Sequence, residues 1–389
     1  MNFSKRFLKT TFFVFVFSSI LFSCKEEKDS EPDVNSLKLN EIQIIGSHNS
    51  YHITPSEGML ALIGSFMQEL AASMDYTHLP LDEQFTTYGI RQIELDIYPD
   101  PEGGLFANRL GNAFLGLPVA SGIAALDTPG YKILHFPDVD FETHYITFRA
   151  ALRAVKQWSE ENPLHLPILI LVEVKDEGIG DLISILSGFT DPLPIDAEMM
   201  DELDEEIRDV FGEDLQNVIT PDVVRGERET LEEAVLEDGW PTLGESRGKV
   251  LFALDNGGEV SDLYLEDHPS LEGRILFTDS EPGSPEAGFL KMNTPTNEIE
   301  SRVMEGYLVR TRSDTETEEA RTGETARRDS ALASGAQFIS TDYYRPDPRY
   351  EESDDWTGYS VQLPGGVVAR INPVIGSEEF EGMDLEQGH

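Results

Sequence analysis

Side chains that can transfer protons, bind metals or contact anions stand at the ends of short apolar runs along this chain. In chain order they are His48-Asn49, Glu94-Leu95-Asp96, His135, Glu173-Val174-Lys175, Asp255-Asn256, Asp279, Arg310-Thr311-Arg312 and Asp342-Tyr343. Side chains alternate along a strand, so Glu94 shares a face with Asp96, and Glu173 shares one with Lys175. Charged groups are costly to bury without partners, so these residues must pair, bind a metal or face a solvent-filled cleft.

The residue types indicate metal-assisted chemistry on an anion. Three carboxylates and an amide oxygen at neighbouring strand ends suit a hard, oxygen-preferring cation, Ca²⁺ more than Zn²⁺. Two histidines beside such a site can stabilise charge and shuttle protons near neutral pH. Lys and Arg number only 29, so Lys175, Arg310 and Arg312 on one face favour an anionic substrate, most simply a phosphate. The combination predicts metal-assisted cleavage of a phosphodiester.

Eight short apolar runs must position these residues. They are Ile42–Gly46, Ile90–Ile97, Tyr131–Phe136, Ile168–Val174, Lys249–Leu254, Arg274–Thr278, Tyr307–Thr311 and Gln337–Thr341. Continuous apolar runs suit parallel strands buried on both faces, and strands alternating with helices favour βαβ units. The pattern predicts an α/β fold, a distorted (β/α)8 TIM barrel forming a single catalytic domain over residues 41–375 and followed by a C-terminal tail over residues 376–389. A doubly wound open sheet is the alternative, and Val367–Ile371 is a candidate edge strand.

Two motifs are set aside. Gly244-Glu245-Ser246-Arg247-Gly248 fits G-x-S-x-G but leads into a strand, whereas a nucleophile elbow leaves a strand for a helix. Asp138-Val139-Asp140-Phe141-Glu142 begins like a calcium loop but has Thr143 where the EF-hand needs glycine. Five further histidines are assigned structural or solvent-exposed roles; they are His52, His78, His144, His165 and His268.

The N-terminal segment indicates export. Three basic residues precede the apolar run Thr11–Phe22, which is too short to span a bilayer, so residues 1–23 are interpreted as a signal peptide. Leu21-Phe22-Ser23-Cys24 is similar to a bacterial lipobox, and Cys24 is the only cysteine. We therefore expect a lipid at Cys24 that anchors the protein in the bacterial cell envelope, at the outer membrane or cell surface. Residues 24–40 are interpreted as an acidic tether.

The charge limits the partners. Asp and Glu number 73 against 29 Lys and Arg, a formal net charge of -44 at pH 7. Loss of residues 1–23, which carry three positive and no negative charges, takes this to -47. Such a surface argues against nucleic-acid binding and against unassisted docking on anionic lipid. We expect a monomer whose membrane contact passes through lipidated Cys24.

Several stretches together resemble the calcium-dependent phosphatidylinositol-specific phospholipase C family, in its bacterial secreted and lipoprotein branch. They are GSHNSYH (46–52), RQIELDIY (91–98), WSEENPLHLPILILVEVKDE (158–177), WPTLGESRGKVLFALDN (240–256), YLVRTRSD (307–314), SGAQFISTDYY (334–344) and LPGGVVARINPV (363–374). They extend over most of residues 41–374, so the resemblance concerns a whole domain.

The resemblance implies one Ca²⁺ and attack of the inositol 2-hydroxyl on phosphorus, which gives inositol 1,2-cyclic phosphate and diacylglycerol. It implies that the calcium ligands are Asn49, Glu94, Asp96 and Glu173. His48 would stabilise the phosphorane and His135 would protonate the leaving oxygen. Either Glu94 or Glu173 would be the general base, and the sequence does not choose between them. Predicted contacts to phosphate or inositol are Lys175, Arg310, Arg312, Asp342 and Tyr343.

Two other functions remain open. A glycerophosphodiester phosphodiesterase also uses a barrel with Glu-x-Asp, a later His and Glu-x-Lys, but it normally opens with His-Arg, whereas Asn49 follows His48 here. The other is a non-enzymatic surface lipoprotein that binds an anion or calcium. Mutation of His135 separates it from both enzymes, because binding should survive and turnover should not.

Overall fold

Parallel strands dominate the computed structural model, which describes Met1, residues 32–183 and residues 188–387. The strands are β1 (Ile42–Ser47), β2 (Gln92–Tyr98), β3 (Lys132–Ile133), β4 (Ile168–Val174), β5 (Val218–Ile219), β6 (Val250–Leu254), β7 (Leu276–Thr278), β8 (Phe289–Lys291), β9 (Leu308–Arg312), β10 (Phe338–Thr341) and β11 (Ala369–Ile371). The apolar run in β4 is completely buried from Ile168 to Val172, as expected for a strand covered on both faces.

Eight of these strands close into a distorted barrel. Hydrogen-bonded neighbours follow the order β6, β4, β2, β1, β10, β9 and β8, and β7 pairs in parallel with β6. A single parallel bridge between Asp279 and Phe289 joins β7 to β8 and completes the ring. The predicted α/β barrel is therefore confirmed, and the open-sheet alternative is wrong.

The third predicted strand is the main departure within the barrel. Tyr131–Phe136 contributes only the two residues of β3, which pair antiparallel with β2. The long connection between the two strands contains two short 3-10 helices instead of the crossover α-helix that usually joins parallel strands. The eighth barrel strand is β8, whose three residues are too few to give a periodic signal. The candidate edge strand appears as β11, antiparallel to β1.

Helices cover the outside of the barrel. They are α1 (Glu57–Gly64), α2 (Gln68–Ser73), α3 (Leu81–Tyr88), α4 (Phe148–Glu161), α5 (Ile179–Leu182), α6 (Ala197–Phe211), α7 (Pro221–Arg225), α8 (Leu231–Glu237), α9 (Leu243–Ser246), α10 (Gly258–Leu265), α11 (Glu298–Glu305), α12 (Glu318–Thr322) and α13 (Ala326–Ala333). Helix α4 begins where the Thr147 hydroxyl accepts from the Ala150 amide, and it buries Phe148, Leu152 and Val155. None of the described helices combines the length and apolar character needed to cross a membrane.

The packed unit begins earlier and ends later than predicted. Among the described residues it extends from residue 33 to residue 387. Val34, Leu37 and Leu39 are buried, so residues 34–40 belong to it and the predicted tether is too long. The predicted tail is also too long, because Phe380 and Leu385 are buried. The signal peptide, Cys24 and the rest of the tether up to residue 31 lie outside the described part, apart from Met1.

Candidate active site

The carboxyl ends of the parallel strands meet at one end of the barrel, which we call the mouth. Strand β1 leads to His48, and β10 leads to Asp342. Strands β2 and β4 run in a register that pairs Asp96 with Glu173. Alternation along β2 then brings Glu94 to the same face. The barrel thus brings together side chains that are far apart in sequence.

Each predicted carboxylate ligand contacts a basic side chain. The Nη2 atom of Arg310 lies 2.5 Å from Oε2 of Glu94. The Nζ atom of Lys175 lies 3.0 Å from Oδ2 of Asp96 and 3.6 Å from Oε2 of Glu173. In the absence of a metal, the charge at the mouth is therefore largely balanced from within the protein.

At the mouth, burial and the closeness of like charges shift the pKa values of these groups. Burial raises the pKa of Glu94 to about 8, although Arg310 opposes the shift. Burial and the neighbouring Asp96 also raise the pKa of Glu173, whose side chain is 34% exposed. Burial alone would lower the pKa of Lys175, but Asp96 and Glu173 outweigh it and raise it. The lysine is a cation, and the crowded carboxylates would gain from a further positive charge.

The donor set fits calcium. Its members are the oxygen ligands that hard cations take, three carboxylates and one amide. The Oδ1 atom of Asp96 is buried and has no hydrogen-bond partner among the described residues, so it is free to bind a cation. Asn49 follows β1 in the left-handed conformation with φ 44°, which asparagine tolerates better than most residues, and it is buried at the mouth.

His48 is held between an acidic and a basic partner. Its Nδ1 lies 2.8 Å from Oδ1 of Asp342, and its Nε2 lies 3.3 Å from Nη1 of Arg312 and 3.6 Å from Oε1 of Glu94. Burial and Arg312 lower the pKa of His48 to about 4. Burial alone would raise the pKa of Asp342, but His48 and Arg312 outweigh it and lower it to about 2. These partners assign a neutral ring that donates from Nδ1 and accepts at Nε2.

His135 belongs to a second histidine–carboxylate arrangement. Its Nδ1 lies 2.7 Å from Oδ2 of Asp140, which leaves Nε2 available to a substrate. Oδ1 of Asp140 lies 2.9 Å from Nε2 of the fully buried His52, whose Nδ1 lies 3.1 Å from the Tyr76 carbonyl. Both ring nitrogens of His52 thus face acceptors. Burial alone would lower the pKa of His52, but Asp140 and the Tyr76 carbonyl together outweigh it and raise the pKa. A positively charged His52 therefore shares Asp140 with His135.

Sequence reasoning missed His52 and Asp140. Among the described residues, one group of three potential metal-binding side chains has all its ligand atoms within 4.8 Å, and it consists of His52, His135 and Asp140. The predicted calcium ligands are not that group. Asp140 lies in the segment that was set aside because it does not match a calcium loop. Backbone hydrogen bonds of Asp140 with His135 and Phe136 bring its carboxylate next to the His135 ring.

Strand β8 supplies two further residues. The Nζ atom of Lys291 lies 2.8 Å from Oδ2 of Asp255, whose buried Oδ1 has no hydrogen-bond partner in the described part of the chain. Asn293 accepts from Arg310. The sequence marked Asp255 as a strand end but could not reveal its partner, because β8 gave no strand signal.

Two predicted substrate contacts have partners within the protein. The Tyr343 ring packs against Trp356 and Tyr359, and its contact with substrate stays a prediction. Asp342 does lie at the mouth, but both of its oxygens are engaged by His48 and Arg312. Its position suits orienting His48 more than lining a pocket.

Comparison with known proteins identifies similar chains. A family model described as phosphoinositide phospholipase C, Ca²⁺-dependent, matches residues 37–373. A calcium-dependent phosphoinositol-specific phospholipase C from the Gram-negative bacterium Pseudomonas sp. in apo form has a similar structure, with a TM-score of 0.50 and 15% identity over 87% of this chain and 97% of that chain. The structure of that phospholipase described as a myoinositol complex gives the same score and identity over 87% of this chain and 96% of that chain. At this identity the likeness shows the fold alone. No curated protein matches the sequence.

Proposed function

The chain belongs to the calcium-dependent phosphoinositide phospholipase C family, and on that premise we propose that it cleaves phosphatidylinositol or a related inositol phosphodiester. The inositol 2-hydroxyl attacks phosphorus, the bond to the glycerol oxygen breaks, and the products are inositol 1,2-cyclic phosphate and diacylglycerol. The observation that carries the proposal is a pair of histidines at the mouth, each with Nδ1 on a carboxylate. Such pairs hold an imidazole in one tautomer for proton transfer or charge stabilisation.

His135 is assigned the role of general acid. Asp140 accepts from Nδ1, stabilises the protonated ring and directs Nε2–H towards the leaving oxygen. The diacylglycerol oxygen is a poor leaving group as an alkoxide, so protonation in the transition state lowers the barrier substantially.

Arg312 and His48 are assigned to the phosphoryl oxygens. Nε2 of His48, which accepts from Arg312, must take up a proton when the negative phosphoryl group binds, and it then donates to a phosphoryl oxygen. The guanidinium of Arg312 is fixed by a bond of 2.9 Å to Asp342 and remains a cation beside His48. Charge that develops on the phosphorane oxygens is stabilised most by donors that are already in position. Arg310 and Lys175 bring two further positive charges to the same region.

Asn49, Glu94, Asp96 and Glu173 are assigned to calcium. Calcium bound there would act as a Lewis acid on the attacking hydroxyl and would neutralise phosphate charge. The general base is Glu94 or Glu173. Burial raises the pKa of both, and a calcium ion bound beside them would favour the ionised form that a base and a ligand both require.

Phosphorus NMR tests the proposal. The purified full chain is incubated with phosphatidylinositol in detergent, in millimolar Ca²⁺ and again in excess chelator. A cyclic phosphodiester signal that appears only with calcium supports the proposal. Monoester from glycerophosphoinositol, without any product from phosphatidylinositol, would favour the glycerophosphodiesterase. Silence on both substrates would favour the binding lipoprotein.

The cellular location is proposed from sequence alone. The segment around Cys24 supports a lipid anchor in the bacterial cell envelope, with the catalytic domain tethered to the membrane. Mass spectrometry of the N-terminal peptide tests this, because a lipidated Cys24 carries a diacylglyceryl mass that a Cys24→Ser chain lacks.

A further inference from the structure

A lysine occupies the place between two of the assigned calcium ligands. The ammonium of Lys175 lies 3.0 Å from Oδ2 of Asp96 and 3.6 Å from Oε2 of Glu173. These two carboxylates belong to neighbouring strands in register, so the ammonium lies where a cation that bridged Oδ2 of Asp96 and Oε2 of Glu173 would bind. Calcium requires oxygen ligands at roughly 2.3–2.6 Å and would be repelled by an ammonium in that space.

Lys175 has fewer hydrogen bonds than Arg310, the basic residue that contacts the third assigned carboxylate, Glu94. Arg310 donates from Nη2 to Glu94, from Nε to Ser340 and from Nη1 to Asn293, so its guanidinium is fixed at three points. Among the described residues, the Lys175 ammonium has a single hydrogen bond, to Asp96. The flexible lysine stem allows the ammonium to turn away when another cation takes its place.

The Lys175 ammonium is also partly exposed and lies near an aromatic ring. The Lys175 side chain is 12% exposed, and its Nζ lies 5.0 Å from the centre of the Phe136 ring. Phe136 directly follows His135, which is assigned to the leaving oxygen. The ammonium thus already borders the residue next to His135, on the side of the cluster where the leaving oxygen is assigned.

We propose that Lys175 is an internal competitor of calcium, which neutralises Asp96 and Glu173 in the metal-free protein and moves to the substrate phosphate when calcium displaces it. The proposal rests on the proposed function, since it uses the same ligands and the same phosphate. Calcium that releases the lysine prepares the phosphate site, and a bound phosphate keeps the lysine away from the calcium site. Each ligand must then strengthen the binding of the other by the same factor.

Calcium titration of the full chain by calorimetry tests this, with and without myo-inositol 1-phosphate. For the wild-type chain we expect the inositol phosphate to tighten calcium binding by about 5- to 150-fold, the usual range for coupled sites. Lys175→Met should bind calcium more tightly than wild type in the absence of inositol phosphate, and the added inositol phosphate should tighten it little further.

Lys291→Met is the matched control. It removes the same charge at the same mouth, from a lysine that pairs with Asp255 rather than with an assigned ligand. We expect its coupling to remain and its calcium affinity to change much less than that of Lys175→Met. If Lys175→Met does not fold, Lys175→Gln removes the charge while keeping a donor for Asp96, with the same expected outcome.

Unchanged or weaker calcium binding by the Lys175 variants would overturn the proposal, and so would equal tightening by Lys291→Met. Turnover of phosphatidylinositol by the wild-type chain is measured separately. A chain that turns over phosphatidylinositol with calcium but shows no Lys175 effect retains the proposed function and loses this inference. A chain without turnover whose Lys175 variants show the effect retains the inference at the binding level and loses the assigned chemistry.

Discussion

Replacement of Asp140 by asparagine isolates the contribution of the general acid. Asp140 accepts hydrogen bonds from His135 and from the buried His52, and burial alone would raise its pKa, but the two histidines lower it to about 2. The carboxylate is therefore ionised throughout the physiological range. Asp140→Asn keeps the shape, removes the charge and leaves one acceptor oxygen for two donating rings.

The size of the effect follows from the bond that is lost. A hydrogen bond to a charged group contributes about 1.5–3 kcal/mol. If this interaction stabilises the protonated, oriented form of His135, its loss lowers turnover of phosphatidylinositol by about 10- to 150-fold. The buried His52 also loses its counter-charge, so the variant should melt at a lower temperature than wild type.

Substrates with different leaving groups separate this role from a structural one. The nitrophenolate of an inositol nitrophenyl phosphodiester leaves without protonation. The Asp140→Asn variant should therefore cleave this substrate at a rate close to that of the wild type. Cleavage of phosphatidylinositol should fall by the factor given above, and His135→Ala should show the same selectivity more strongly. Equal losses on both substrates would refute the assignment of Asp140 and His135 to the leaving oxygen.

Three further outcomes are expected. Asp96→Asn should abolish calcium binding in calorimetry while leaving the circular dichroism spectrum unchanged; calcium affinity equal to wild type would remove Asp96 from the ligand set. The pKa of Glu94 is about 8 in the folded chain against an ordinary 4.5, so its folded form keeps a proton that the unfolded form releases, and stability falls as pH rises towards 8. His48, which is neutral in the folded chain, makes stability rise with pH, but only below its ordinary pKa of 6.5. The melting temperature in chelator should therefore drop between pH 6.5 and 8, and Glu94→Gln should make this drop smaller. An equal drop in the variant would show that Glu94 does not cause it. Gly46→Ala would place a Cβ 2.6 Å from Cβ of the buried Gln92, and urea unfolding should show a loss of about 1–3 kcal/mol; wild-type stability would show that Gln92 can move aside.

The sequence allowed the strand-borne part of the site to be predicted. Two regular features of the sequence were sufficient to predict that Glu94, Asp96 and Glu173 share one mouth. Side chains alternate along each strand, and the repeat of strands and helices indicates parallel strands whose carboxyl ends meet.

The loop-borne part could not be predicted in this way. Asp140 reaches His135 through a tight turn that includes Asp138 at φ 72°, and no periodic pattern reports such a turn. His52 gains its role only from that turn. Lys291 lies on a three-residue strand that only its pairing with β9 makes recognisable.

The barrel is closed unevenly. Strands β2 and β4 are paired continuously from Gln92 to Ile97. Among the described residues, β7 and β8 are joined by one backbone bridge at Asp279 and by a bond from the Lys291 amide to the Asp279 carboxylate. The carboxylates assigned to the metal stand on the continuously paired side, where the ladder fixes their spacing. Lys291 stands beside the junction of β7 and β8, where fewer hydrogen bonds resist a change in width. A change in the width of the mouth is therefore resisted least on the side away from the assigned ligands.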